Sequence, residues 1–519
     1  MNLRLTGGAM HVWSDLDGGH GPGPVRGAVL APLLATATGR TLVAGPLDPA
    51  LLEAVPADEL TVLVRGMADA EALAARHPKM SLLCGGPEEL AGGPRYDTVV
   101  ALDGLGRLCS VEGAELGWAE TFELLASAVR PGGRLLLAVE NFVGLHRLLA
   151  LPPEPTDTDW SAAGEYDPTR PAGLARVRAR LAAAGLAPAR TWAAWPSPVA
   201  PTVLLGPELL DDEAALGFLQ ATLGRAGARP GALLADPGRL VAGALRHGVA
   251  ADLAPAWILL AERPADPPAG PDRCLPAPTA AGPETPRSGE ELPAALLGVD
   301  ADLVTVTGDP VGGWTRHRGG GRAVPSGRTL EDLVLAAALR RDLPAMRKLL
   351  RDWQSGVDAG VPADQVVGPP GAGGALTPPG EPMAALRRLA ARMLDGGLAH
   401  LWPSPADPAE LAVTLAVFAG RGAEPVPPPE AVPDRPDARA HRELLMERDR
   451  LARELAEARA QHEWYQRTLA EREAALKRAR RIVAVLSATP TGRAGKALLA
   501  RVRTARRTAR AAMRRSRPD

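Results

Sequence analysis

The chain has 519 residues, length for two or three domains at roughly 100–200 residues each. Apolar residues make up 46% and aromatic residues 3%, so a sizeable core must be filled by Leu, Val and Ala. The formal net charge of −1 excludes a chain-wide electrostatic draw to nucleic acid, and three scattered cysteines, Cys84, Cys109 and Cys274, lack the spacing of a disulfide framework or a cysteine zinc site.

Gly (56) and Pro (52) are so abundant that they count as loop signals only where they cluster. Residues 1–24 are Gly-rich with a weak strand-like opening, and Val25–Thr38 reads as a helix. Strand-length apolar runs follow at Thr41–Ala44, Leu60–Val64, Ser81–Cys84, Thr98–Leu102 and Arg134–Val139, with helical stretches at Pro49–Val55, Ala68–Arg76 and Trp118–Val129 between them. Runs apolar on both faces, alternating with helices, predict a parallel sheet buried beneath helices. Pro171–Ala184 is a helix stopped by Gly185. Thr191–Trp195, Thr202–Leu205 and Ala256–Ala261 are further strands, around a mostly helical insertion at Pro207–Leu245.

Pro, Ala and Gly crowd a linker over 264–287. Residues 288–422 are expected to form a mainly helical accessory domain, with helices at Leu330–Asp352, Pro382–Leu398 and Pro408–Ala419. A second linker spans 423–437, and 438–480 is a charged stretch without Gly or Pro. There Leu444, Leu451, Leu455, Ala458, Tyr465, Leu469 and Leu476 share a heptad seam interrupted by Arg448, His462 and Arg472, the pattern of an imperfect coiled coil. Self-association or a partner helix is expected there. The tail, 481–519, holds eleven basic residues and one acidic residue. Leu498, Val502, Ala505, Ala509 and Met513 recur at helical spacing beneath its arginines, which suits an anionic membrane surface better than nucleic acid because the rest of the chain is acidic. A disordered basic tail remains the alternative.

The chemistry concentrates in Tyr96–Leu108 (YDTVVALDGLGRL) and Val129–Asn141 (VRPGGRLLLAVEN). Ligands of open α/β sheets bind outside the carboxyl ends of the strands, so Asp103, Glu140 and Asn141 should converge on one rim. Asp103 serves either a ligand or a helix cap; Glu140 and Asn141 line a pocket or simply reach solvent. These two segments resemble the fourth and fifth strands of class I S-adenosylmethionine-dependent methyltransferases. ENFVGLHRLL (Glu140–Leu149) and Trp195–Glu208 resemble members associated with cell-surface glycans. The resemblance covers about residues 25–263 and implies a 1–263 domain with a doubly wound, mostly parallel, seven-stranded sheet, S-adenosylmethionine as cofactor, and a small-molecule or sugar/glycan acceptor.

The family's three cofactor grips are altered in this chain. The glycine-rich loop reads AGPLDP, with Gly45, Pro46 and Asp48; the acidic residue expected after the second strand is replaced by Arg65; Gly85, Gly86 and Pro87 follow the third strand, with Glu88 after them. Carried over by position, the cofactor would lie against Gly45, Pro46, Asp48, Arg65, Gly85, Gly86 and Asp103. Gly45 is a tight-turn glycine or a cofactor contact, and Arg65 a solvated strand-end charge or an anion site. His146 is a surface residue or a general base. Trp314–Arg318, before the glycines at 319–321, is a basic turn or a cradle for an anion, and His400–Pro403 is packing. The sequence has no metal-ligand spacing, GxSxG or P-loop. It also has no apolar leader or membrane-length run, so the expected location is cytoplasmic or peripheral at the inner membrane face. The leading reading is a methyltransferase. The alternative is a catalytically silent methyltransferase-like scaffold that recruits partners through its coiled coil.

Overall fold

A computed structural model describes residues 2–18, 21–93, 95–149, 167–226, 236–265, 292–299, 302–395, 398–402, 407–422, most of 455–484, and 490–515. Residues 1–438 and 439–519 form two separate compact units. Both expected linkers and the start of the expected coiled coil lie largely outside the described residues.

In the first unit the described strands join one sheet: β1 Leu3–Leu5, β2 Arg40–Ala44, β3 Glu59–Val64, β4 Ser81–Cys84, β5 Tyr96–Ala101, β6 Val129–Glu140, β7 Ala187–Trp195, β8 Val203–Leu205, β9 Ala256–Glu262, β10 Ala295–Val299, β11 Asp302–Asp309, β12 Gly313–His317 and β13 Gly321–Ala323. Their order is β1-β4-β3-β2-β5-β6-β9-β7-β8-β10-β11-β12-β13. The first six in that order pair in parallel, and every pairing from β6–β9 onward is antiparallel. The expected alternation and doubly wound core are present. The sheet has thirteen strands rather than the expected seven: residues 1–263 supply nine, and four come from the region expected to be mainly helical. β10 docks through Ala295, Leu296 and Leu297 onto the edge left by β8.

Side-chain alternation explains how the parallel core is buried. Along β2, Leu42 and Ala44 pack with Phe122, Leu125 and Val177 on one face, whereas Val43 packs with Leu34, Leu52 and Leu73 on the other. Successive side chains of a strand point to opposite faces, so each face needs its own cover. Helix α1 (Ala31–Leu34), α2 (Pro49–Leu52) and α3 (Met67–Arg76) cover one face, and α4 (Trp118–Ala128) and α6 (Leu174–Ala183) the other. Helix α5 is the short Leu145–Leu149 turn beyond β6. Helices α7 (Pro207–Leu210), α8 (Leu216–Ala226) and α9 (Pro237–Arg246) pack on the antiparallel extension through Phe218, Leu219, Trp314 and Val306.

A last apolar cluster joins α10 (Leu330–Leu339), α11 (Leu343–Ser355), α12 (Pro382–Asp395) and α13 (Pro408–Phe418) around Trp353 and Leu386. The single helix expected over Leu330–Asp352 is two. Arg341 sits at φ 56, and Asp342 starts α11 by accepting the Ala345 amide, with a proline in its first turn.

In the second unit the described residues between 455 and 484 are helical with exposed side chains, Leu455, Tyr465, Leu469 and Leu476 of the heptad seam among them. Pro490–Arg515 is a helix, on which Leu498, Leu499 and Val502 are exposed. Among the described residues no helix is long and apolar enough to cross a membrane.

Candidate active site at the carboxyl edge

The strand order reverses between β2 and β5, and a crevice outside the carboxyl ends belongs at such a switch point. Gly45 ends β2 there at φ 101, a left-handed conformation natural to glycine. A Cβ built on Gly45 would lie 3.3 Å from Asp103 Cβ. Strand β5 therefore delivers Asp103 to the position its motif promised, directly over the turn after β2.

The chain's own amino-terminal segment crosses this edge. The Thr6 amide donates to the Cys84 carbonyl (2.8 Å) and the Gly86 amide to the Gly7 carbonyl (2.7 Å), past the end of β4. The Met10 amide then donates to the Arg65 carbonyl (2.8 Å) and the Met67 amide to the Met10 carbonyl (3.0 Å), past β3. Past β2, the Val25 amide donates to the Pro46 carbonyl and the Asp48 amide to the Val25 carbonyl, both at 2.9 Å. Gly85 has to be glycine: at φ 147 it lies under Thr6 and Gly7, and any Cβ would strike them.

Each charged group expected at the site is paired inside the chain. Arg65 donates from Nε and Nη2 to the two carboxylate oxygens of Asp15, both at 2.8 Å, and from Nη1 to the Cys109 carbonyl at 3.0 Å. With side-chain exposures of 6% for Arg65 and 3% for Asp15, this is a buried bidentate pair, which corrects the expectation of a solvated strand-end charge. The anion that Arg65 binds is a carboxylate of the same chain. Trp13 stacks near its guanidinium at 5.4 Å, and Asp69 accepts from the Ser14 hydroxyl and the Asp15 amide.

Asp103 is gripped by both prongs of Arg107, with 2.7 Å from Nε to Oδ2, and Arg107 Nη1 reaches back to the Gly23 carbonyl at 2.8 Å. Burial pushes the Asp103 carboxyl up to about 6, against the opposing pull of Arg107. Asp48 caps α2 by accepting the Ala50 amide at 2.8 Å. Glu88 accepts the Ala114 amide at 2.7 Å. Sequence reasoning missed Asp15 and Arg107. The i,i+4 spacing from Asp103 to Arg107 was a readable signal. Nothing local links Arg65 to Asp15.

One strand further on, Glu140 Oε1 meets His146 Nε2 at 3.0 Å and accepts from Arg147 Nε at 2.9 Å. Burial raises the Glu140 carboxyl, but the His146 hydrogen bond and the Arg147 charge outweigh it and hold the group below its usual range. His146 Nδ1 is buried and has no hydrogen-bond partner among the described residues. His146 is thus a largely buried, carboxylate-held imidazole rather than a surface histidine. Asn141 holds no pocket position: its side chain donates to the Asp252 and Ala254 carbonyls (2.6 and 2.9 Å) and accepts the Val143 amide, clipping β6 to the approach to β9. His317 pairs with Thr307 across β11 and β12, and His400 lies in a short turn after α12. Among the described residues no group of three His, Cys, Asp or Glu side chains is placed to hold a metal.

S-adenosylmethionine, the cofactor the resemblance implies, does not fit the edge in this closed arrangement. Asp103 fills the space above Gly45, residues 6 and 7 lie on Gly85 and Gly86, and the charges of Arg65 and Asp103 are consumed by Asp15 and Arg107.

No protein-family model matches the chain, and no curated protein matches it. Solved structures similar to part of it include methyltransferases and the [4+2]-cyclase SpnF. The magnesium protoporphyrin IX methyltransferase of Synechocystis, with S-adenosylhomocysteine bound, is 16% identical over 46% of this chain and 80% of its own, at a TM-score of 0.23. The N-methyltransferase NodS of Bradyrhizobium japonicum is 11% identical over 45% and 92%, at 0.24. A methyltransferase of Geobacter sulfurreducens, in complex with S-adenosylhomocysteine, is 13% identical over 45% and 87%, at 0.22. Likenesses this distant carry no argument about residues or activity.

Proposed function

We propose that the first unit is an S-adenosylmethionine-dependent methyltransferase whose donor crevice, between Gly45, Gly85 and Asp103, is capped by the amino-terminal segment from Thr6 to Val25 and opens when that segment withdraws. The acceptor is a small molecule or a sugar, and that class rests on the ENFVGLHRLL and Trp195–Glu208 resemblance alone. One observation carries the reading: the switch point sets Gly45 against Asp103, and the Glu140–His146 pair stands at the end of the neighbouring strand on the same edge.

In this reading Glu140 orients His146 through Nε2, and the unpartnered Nδ1, buried in the closed arrangement, takes a proton from an acceptor hydroxyl or amine once the edge opens. Phe142, with Arg147 and Arg170 over its ring at 4.3 and 3.8 Å, walls the same corner. No chemical step is assigned to the donor itself.

A specific observation favours a second reading, a catalytically silent scaffold: every charged donor grip already has an internal partner. Calorimetric titration of S-adenosylhomocysteine separates the two. The full chain is compared with a variant in which residues 6–24 are replaced by a Gly-Ser linker of equal length. The methyltransferase reading expects binding that tightens at least about tenfold in the linker variant, because the cost of displacing the cap is removed. No heat from either protein at millimolar ligand establishes the scaffold.

A further inference from the structure

A cavity of about 790 Å³ lies away from the switch point, between the β8–β13 extension, helix α8 and the segment leading to α12. That volume is in the range of pockets that hold drug-sized ligands. Its inner wall is apolar: Val203 of β8, Phe218 of α8, Leu297 of β10, Val304 of β11 and Leu376. Its mouth is basic. Arg316 of β12 and Arg322 of β13 line it and are direct cross-strand partners in the antiparallel register.

Like charges placed directly opposite on neighbouring strands destabilise a sheet. Among the described residues no acidic side chain forms an ion pair with either arginine. The neighbouring Arg318, by contrast, is held by Asp302 at 2.7 Å. Burial, with the Arg322 charge adding to it, pushes the Arg316 guanidinium below its usual range. A third polar group points the same way: Thr377 Oγ1, on the cavity lining, is buried and has no hydrogen-bond partner among the described residues. The glycines at 319–321 complete the rim, and Gly319 at φ 67 turns the hairpin between the two arginines.

We infer that this cavity binds a small molecule with an apolar body and an anionic head, phosphate or carboxylate, the head held between Arg316 and Arg322 and a polar substituent reaching Thr377. Two guanidinium groups offer planar donor forks that match either anion. The bound anion removes the repulsion that the free hairpin carries. The inference is independent of the methyltransferase reading, since none of these residues lies at the carboxyl edge between β2 and β5.

The test uses the full chain and isothermal titration with three probes below their micelle thresholds: n-octyl phosphate, n-octanoate and n-octyl glucoside, with inorganic phosphate as the bare head. Octyl phosphate or octanoate should bind, at least tenfold more tightly than inorganic phosphate or octyl glucoside, and the tighter of the two identifies the head group. R316Q and R322Q should each weaken it at least tenfold, and V304W, which fills the cavity, should abolish it. Without ligand, R316Q should melt at or above the wild-type temperature, so lost binding cannot be ascribed to misfolding. Equal binding by the R316Q/R322Q double variant and wild type, or no heat from any amphiphilic anion at millimolar concentration, overturns the inference.

Discussion

Asp103 sits under two opposed influences: burial raises its carboxyl and Arg107 lowers it, for a net value of about 6 against an ordinary 3.8. The folded state therefore holds the proton of this acid more tightly than the unfolded chain does. The stability this group lends is complete below about pH 4 and is lost as pH rises through about 6. The cost of Asp103→Asn should accordingly shrink by about 2 kcal/mol between pH 4 and pH 7.5, at ~1.4 kcal/mol per pKa unit, as read from urea unfolding at both pH values. A pH-independent cost would contradict this electrostatic picture. Arg107→Leu removes the lowering influence and should drive the Asp103 carboxyl resonance to titrate higher still. At Arg65, Asp15→Asn leaves a buried guanidinium half-paired and should cost about 3–5 kcal/mol, whereas Asp15→Leu with Arg65→Met should cost much less. Gly45 and Asp103 were legible in the sequence because strand ends and turn glycines announce themselves locally. The fate of Arg65 was not, because its partner lies 50 residues upstream, on a segment that sequence periodicity left blank.

At the scale of elements, the apolar runs that became β2–β6 and β9 were readable because strands covered on both faces are apolar along their whole length. Strands β10–β13 were overlooked in a Pro-rich and Gly-rich stretch. Yet DLVTVTGD alternates with period two, and Asp309 closes its turn by accepting the Val311 and Gly312 amides at 2.7 and 2.6 Å. The amino-terminal segment was missed for a different reason: it is held by backbone hydrogen bonds to strand ends and by Asp15, none of which periodicity encodes. Beyond the first unit, we propose that the exposed seam of Leu455, Tyr465, Leu469 and Leu476 pairs with a second copy or a partner helix. A fragment covering 436–482 should sediment as a helical dimer or capture such a partner. A monomeric, unstructured fragment that captures nothing ends that proposal.

At the scale of the whole molecule, the single sheet ties the parallel core to the region expected to be a separate accessory domain, because β10 continues the edge that β8 leaves open. The carboxyl-terminal helix Pro490–Arg515 offers arginines beside a thin apolar stripe, and each basic residue near an anionic leaflet is worth about 1 kcal/mol. The full chain should co-sediment with anionic but not neutral vesicles, less so at high salt, and truncation after Arg480 should remove the effect. Identical behaviour of the two proteins on anionic vesicles rules out a tether. The central claim is that the amino-terminal segment from Thr6 to Val25 caps a donor crevice, and hydrogen exchange tests it most directly. In the free protein the Met10 and Val25 amides, bonded to the Arg65 and Pro46 carbonyls, should exchange slowly. At saturating S-adenosylhomocysteine they should exchange at least about tenfold faster while β2 and β5 stay protected. Protection that millimolar ligand leaves unchanged, or its absence in the free protein, would contradict the account.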